Sequence, residues 1–349
     1  MLLRAGRILR LIGPRDSFAV SAAKLGGTIE DARLATVQDA VRHRYIVARE
    51  LGRSTPSIVY LAQETAGGAA VALRLIEPAA VREKGTPAFL RSLASLRRLE
   101  HSGLVAVLGG EEISADVPDS AQAPLLLCVT RFVDAESLRD RLRRSGPLPI
   151  ETVLRIAHEM CDALSYAHGR NVLHGALSPE HIFLTQPHAC LTDIGIAAAI
   201  NELTGGDFTA SRIDGAAAGY LSPEQLSGSR SIDGRTDLFS LGCVLHEMLA
   251  GTPPFTGTRR GTGRHGPPSL RASRSDVTAR LQLIIERLLA PDPEDRYPSA
   301  ASLSGALASS HEPLPPTGLR RFRWGRIAAG LGLLLAIIAL GTRLAGLWR

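Results

Sequence analysis

The sequence predicts an α+β protein in which a small strand-rich part precedes a larger helical part, with one apolar helix near the C-terminus. Three observations carry this. Residues 44–76 alternate short apolar runs with turn residues, as hairpin strands do. Residues 151–169 and 237–251 space apolar side chains at helical intervals. Ile327–Thr342 (IAAGLGLLLAIIALGT) holds no charge. At 349 residues the chain has room for one large core plus tails, and no internal repeat is visible.

The formal net charge of +6 is carried almost wholly by arginine, because Lys24 and Lys84 are the only lysines. Basic residues crowd the two ends, at Arg4, Arg7 and Arg10 and again at Arg320, Arg321, Arg323 and Arg326. They form no aromatic-interleaved patch, so a membrane surface is favoured over nucleic acid as the acidic partner. The four cysteines (Cys128, Cys161, Cys190 and Cys243) show no CxxC or metal spacing and read as buried thiols in a reducing compartment.

Met1–Ile12 (MLLRAGRILRLI) sets arginines every third residue among leucines and isoleucines. This suits a short basic amphipathic helix, and membrane contact and packing on the domain are equally open. The segment is too interrupted by Arg for the apolar stretch of a signal peptide. Glu312–Thr317 (EPLPPT) is a Pro-rich linker. The sixteen uncharged residues after Arg326 reach only about 24 Å as a helix, short of a hydrocarbon core of roughly 30 Å. Extension to Trp348 supplies the missing length, with Arg343 near the far end where it can snorkel and Trp324 and Trp348 at the interfaces. Four arginines precede the span and two follow it, which by the positive-inside tendency places the preceding residues in the cytoplasm at a cell inner membrane.

Between these ends, motifs follow one another in a fixed order. They are LGRSTPSIVYLA (Leu51–Ala62), VALR (Val71–Arg74), HGALSPEHIFL (His174–Leu184), TDIGIA (Thr192–Ala197), YLSPEQL (Tyr220–Leu226), DLFSLGCVLHEMLAGTPPF (Asp237–Phe255) and DPEDRYPSA (Asp292–Ala300). Over about residues 44–308 the chain resembles the eukaryotic-like Ser/Thr protein kinases of bacteria. The resemblance implies a bilobal protein-kinase-like fold: a kinase N-lobe at 44–131 and a C-lobe at 132–311, preceded by a basic extension at 1–43. A juxtamembrane linker at 312–325 and a transmembrane helix at 326–348 follow.

Phosphoryl transfer needs positioned phosphates, metal ions to neutralise developing charge, and a carboxylate to accept the hydroxyl proton. Set on the family's motifs, most of those positions are altered here. In the loop over the phosphates Gly52 remains, while Ser54 and Ser57 replace two further glycines. Arg74 stands for the phosphate-pairing Lys, and Ser92 for the helical Glu that partners it. Ala176 stands for the catalytic Asp, Ser178 for the following Lys, His181 for the metal-binding Asn, and Ala217 for the threonine that contacts the catalytic Asp and Lys. Asp193 survives as the candidate Mg²⁺ ligand, although a lone carboxylate is a weak site for that ion. Nucleotide-binding candidates are Gly52, Val59, Ala72, Arg74, Thr130 and Phe183, and ATP with Mg²⁺ is expected to bind weakly or not at all.

The retained positions have architectural roles in the family: His174 in the regulatory spine with Leu96 and Ile194, Gly195 in the metal-binding turn, Asp237 beneath the catalytic loop, and Glu224 with Arg296. The resulting expectation is a membrane-anchored pseudokinase acting as a signalling scaffold whose protein partner is an active kinase or a substrate. The alternative is an impaired or unconventional kinase with Glu180 or His181 as base. Thr204, Thr209 and Ser211 are available phosphoacceptors, but Gly175 replaces the Arg that usually receives such a phosphate.

Overall fold

The computed structural model describes residues 35, 37–54, 57–76, 85–113, 125–203, 217–229, 231–255 and 267–310. The basic N-terminal segment, Lys84, Thr204, Thr209, Ser211, the Pro-rich linker and the apolar run Ile327–Thr342 lie outside the described residues. Among the described residues no helix is long and apolar enough to cross a membrane.

In chain order the main elements are β1 (Tyr45–Ser54), β2 (Ser57–Glu64), β3 (Ala70–Ile76), α1 (Thr86–Leu96), β4 (Val107–Ile113) and β5 (Leu125–Arg131). Then come α2 (Leu138–Ser145), α3 (Ile150–His168), β6 (Ile182–Leu184), β7 (Ala189–Leu191), α4 (Ile196–Leu203), α5 (Gly234–Ala250), α6 (Ala279–Leu288) and α7 (Ala300–Ala308). They form two compact units. The first draws its described residues from Met1–Glu136, Gly169–Gly175 and His181–Asp214; the second draws them from Ser137–His168, Ala176–Glu180 and Gly215–Arg349.

In the first unit the strands pair antiparallel in the order β1-β2-β3-β5-β4. Alternation along each strand divides their side chains between two faces. Ile58, Tyr60, Ala62, Val71, Leu73, Leu127 and Val129 point to one, where they bury themselves with Val37, Val41 and Tyr45 as a single cluster. Each such large apolar side chain contributes roughly 1.5–3 kcal/mol when fully buried. The opposite parity carries Val59, Ala72, Arg74, Cys128 and Thr130. The β6–β7 hairpin is stitched to the segment after α1 by Leu191 N to Gly103 O (2.8 Å) and Val105 N to Leu191 O (2.9 Å). α4 lies against α1, where the Ser92 hydroxyl donates to Glu202 at 2.7 Å.

The second unit is helical. α5 is buried on all sides from Thr236 to Leu249, capped at its start by Asp233 and stopped by Gly251 at φ 78°. Its close approach to α6 needs Gly242, since a Cβ there would lie 2.7 Å from the Leu288 Cβ. All four cysteines are buried and free, and burial pushes the Cys128 and Cys161 thiols up to about 12.

A helix as buried as α5 must compensate its charged residues internally. Asp237, wholly buried, pairs with His168 Nε2 at 2.8 Å. Nearby, Arg296 reaches Glu224 through both terminal nitrogens (2.7 and 2.8 Å) and also donates to the carbonyls of Ala290, Arg235 and Pro291. This fork satisfies the guanidinium with no help from water.

Removing one partner from such a pair costs about 3–5 kcal/mol, so Arg296→Met is expected to lower the urea midpoint sharply while leaving the denaturant slope unchanged. Burial alone would raise the Glu224 carboxyl, but the Arg296 guanidinium and the Thr236 hydroxyl outweigh it and hold it below the usual range. A depressed carboxylate stabilises above its unfolded pKa, and that contribution is lost as pH falls through the folded value. Glu224→Gln is therefore expected to lose stability at neutral pH and to flatten the acid limb that begins below about pH 4, as read from urea midpoints against pH.

Candidate nucleotide and metal site

The candidate nucleotide residues come together through strand register. Gly52 faces Val59 across β1–β2, Val59 faces Arg74 across β2–β3, and Arg74 faces Cys128 across β3–β5; Ala72 faces Thr130 in the next row. Opposite residues in antiparallel strands share a face, so Val59, Ala72, Arg74 and Thr130 occupy one side of the sheet. Phe183 sits half-buried on β6 of the same unit.

Asp193 follows β7 by two residues, with φ at 60°. Asp and Asn tolerate this left-handed region better than most side chains, at some cost. Gly195 is left-handed too, and a Cβ on it would lie 2.5 Å from the Leu96 side chain. The turn is thus pinned between the hairpin and the end of α1. It delivers the Asp193 carboxylate to the Arg74 guanidinium, which hydrogen-bonds it directly. The other terminal nitrogen of Arg74 donates to Ser57 Oγ at 2.9 Å. Both charged side chains are largely buried, at 14% and 16% exposure.

His181 places Nε2 3.5 Å from the same Asp193 oxygen, and its ring lies 5.2 Å from that of His174. His174 is buried and meets the Thr192 carbonyl at 3.0 Å. Burial alone would raise the Asp193 carboxyl, but Arg74, His181 and His174 outweigh it and hold it below the ordinary carboxylate range. Among the described residues no three His, Cys, Asp or Glu side chains group so as to hold a metal ion.

Ala176–Glu180 of the HGALSPEH segment belong to the second unit. Ala176 is half-buried and Ser178 buried. The Glu180 carboxylate accepts from Arg139 Nε at 2.7 Å, while Arg139 also donates to Glu247 (2.6 Å) and to the Tyr220 hydroxyl (2.5 Å). Tyr220 in turn donates to Glu247. Burial would raise Glu180; Arg139 and the Ser178 hydroxyl instead hold it low.

The profile of the protein kinase domain matches residues 45–305. The chain belongs to the protein kinase family. Among its relatives is the serine/threonine-protein kinase PknB of Mycobacterium leprae, 32% identical over 282 residues that make up 78% of this chain and 44% of the relative. A probable serine/threonine-protein kinase of Streptomyces coelicolor is 31% identical over 264 residues, 74% of this chain and 38% of the relative. The chain therefore spans less than half the length of these curated relatives. In structure it resembles the Mycobacterium tuberculosis PknI kinase domain (TM-score 0.60, 30% identity, 76% of this chain and 95% of that one). Rad53 1–466 in complex with AMP-PNP shares the fold at 20% identity (TM-score 0.61, 79% and 68% covered). The fold is the two-lobed protein-kinase fold, with a β-sheet N-lobe and a helical C-lobe, of the bacterial Ser/Thr kinase type.

In this kinase domain, sequence reasoning found Arg74 and Asp193 but not that they bind each other, since the contact closes between residues 119 apart. It also missed Arg139, near the start of α2, whose partners Glu180, Tyr220 and Glu247 lie 41, 81 and 108 residues away. Ser92, at the position of the helical Glu, is engaged by Glu202 rather than by Arg74.

Glu247 is 4% exposed and takes its cation from Arg139. Arg139→Met is accordingly expected to destabilise the chain by roughly 3 kcal/mol, and Arg139→Lys to recover only part of that, because one ammonium cannot span two carboxylates and a phenol. Urea unfolding of the two variants beside wild type checks the order.

Proposed function

We propose that this kinase-family chain is a pseudokinase, a membrane-tethered scaffold that presents a kinase-like surface to a protein partner rather than transferring phosphate. The observation that carries the reading is Ala176 at the position of the proton-accepting Asp: a methyl group accepts no proton. Arg74, Ser92, Ser178 and His181 at four further functional positions add to it. The carboxylate of the same segment, Glu180, is held ionised and occupied by Arg139, which opposes its use as a base.

Membrane attachment rests on the uncharged run Ile327–Thr342, its flanking arginines and its two tryptophans, with the kinase-like domain at the cytoplasmic face of the inner membrane. The partner is an active kinase or one of its protein substrates, brought to the membrane surface by the tether.

The full chain, incubated with Mg²⁺ and radiolabelled ATP, is expected to label itself and generic protein acceptors no faster than its Asp193→Ala variant does. Mg²⁺-dependent labelling at least tenfold above that variant would make the chain an enzyme. Deleting residues 327–342 is expected to move it from the membrane pellet to the supernatant; a truncated chain that stays in the pellet under high salt would refute the tether.

A further inference from the structure

We infer that Arg74 takes the place of the divalent metal on Asp193, so that this site excludes Mg²⁺. The inference deepens the pseudokinase reading and rests on it only in taking Asp193 as the family's metal carboxylate.

The residues present do not fit the ion. Mg²⁺ demands a near-octahedral shell of oxygens, gives up water reluctantly, and is held in kinases by a carboxylate together with an amide oxygen. Here the second position is His181, whose nearest ring nitrogen faces the same Oδ2 that Arg74 binds. One carboxylate oxygen is thus shared by a guanidinium and an imidazole, and no second carboxylate joins it among the described residues. A cation arriving at Asp193 would find Oδ2 taken and would stand beside the Arg74 guanidinium, whose like charge opposes it.

The substitutions explain one another. The helical residue that would compete for Arg74 is Ser92, and its hydroxyl is engaged with Glu202. Relieved of that competitor, Arg74 has Asp193 as its acid and Ser57 as its neutral acceptor. Ser57 stands where the phosphate loop would carry a glycine, and it accepts from the cation that would otherwise pair with phosphate. Guanidinium, hydroxyl and carboxylate reproduce inside the protein a charge pattern that metal and nucleotide otherwise complete.

Thermal melts of the full chain in EDTA and in millimolar Mg²⁺ test this. The expected result is one Tm for wild type in both buffers, and an Asp193→Asn variant lower by roughly 5 °C in both. Two results would overturn the inference: a wild-type Tm that rises with Mg²⁺ where the variant's does not, or an Asp193→Asn variant as stable as wild type in EDTA. If the variant fails to fold, Fe²⁺–ascorbate cleavage of wild type with and without millimolar Mg²⁺ decides the matter, because Mg²⁺ suppresses only cuts made from a site that it can itself occupy. No Mg²⁺-suppressed cut between Thr192 and Gly195 is expected, and one there overturns the proposal. A chain that binds Mg²⁺ at Asp193 yet transfers no phosphate would sink this inference alone, whereas metal-independent transfer would sink only the pseudokinase reading.

Discussion

A buried carboxylate must find a counter-charge or give up its own, and in the first unit of this chain Asp193 finds it in Arg74. Several elements of that unit converge on the contact. Register across β2, β3 and β5 sets Arg74 on the face away from the hydrophobic cluster. The hairpin bonds to Gly103 and Val105 fix the strand that leads to Asp193. The left-handed turn at Asp193 and Gly195 then turns the carboxylate toward the sheet. An uncompensated Asp193 would be driven toward its neutral form by burial; paired, it stays ionised and ties the turn after the hairpin to the middle of the sheet.

The C-lobe solves the same problem with the same side chain. Arg296 binds Glu224 through a two-pronged contact and spends its remaining donors on three carbonyls. Arg139 spans Glu180, Glu247 and Tyr220. A planar guanidinium with five donors can satisfy several acceptors from one position, which an ammonium cannot. The near-absence of lysine therefore suits the structure: three interior arginines each join segments far apart in sequence.

Much of the fold was legible in the sequence because its signals are local. Alternation over residues 44–76 appears as β1 to β3, and the helical spacing at 151–169 and 237–251 appears as α3 and α5 with edges shifted by one to three residues. Those shifts follow capping: Asp233 begins α5 ahead of its apolar run, and Gly251 ends it. The site was legible only as a set of positions. Position says that Arg74 replaces a lysine and that Ser92 replaces a glutamate. It does not say that the freed guanidinium turns to Asp193, or that the serine engages Glu202, because both follow from distances that close only after folding. Arg139 was invisible for the same reason.

On the proposed reading, the altered positions are matched by contacts among themselves. Random loss of catalytic residues would leave the remaining polar groups of a nucleotide site unpaired and costly wherever they are buried. Here Ser57, Arg74, Asp193 and His181 face one another, Ser92 is paired with Glu202, and Glu180 is bound by Arg139. The groups that would have waited for phosphate, metal and substrate are satisfied by their neighbours. A kinase that uses a ligand keeps donors and acceptors in reserve for it, at some expense in stability. In this chain Arg74 and Asp193 meet each other instead, which fits the proposed reading of a domain recognised for its shape.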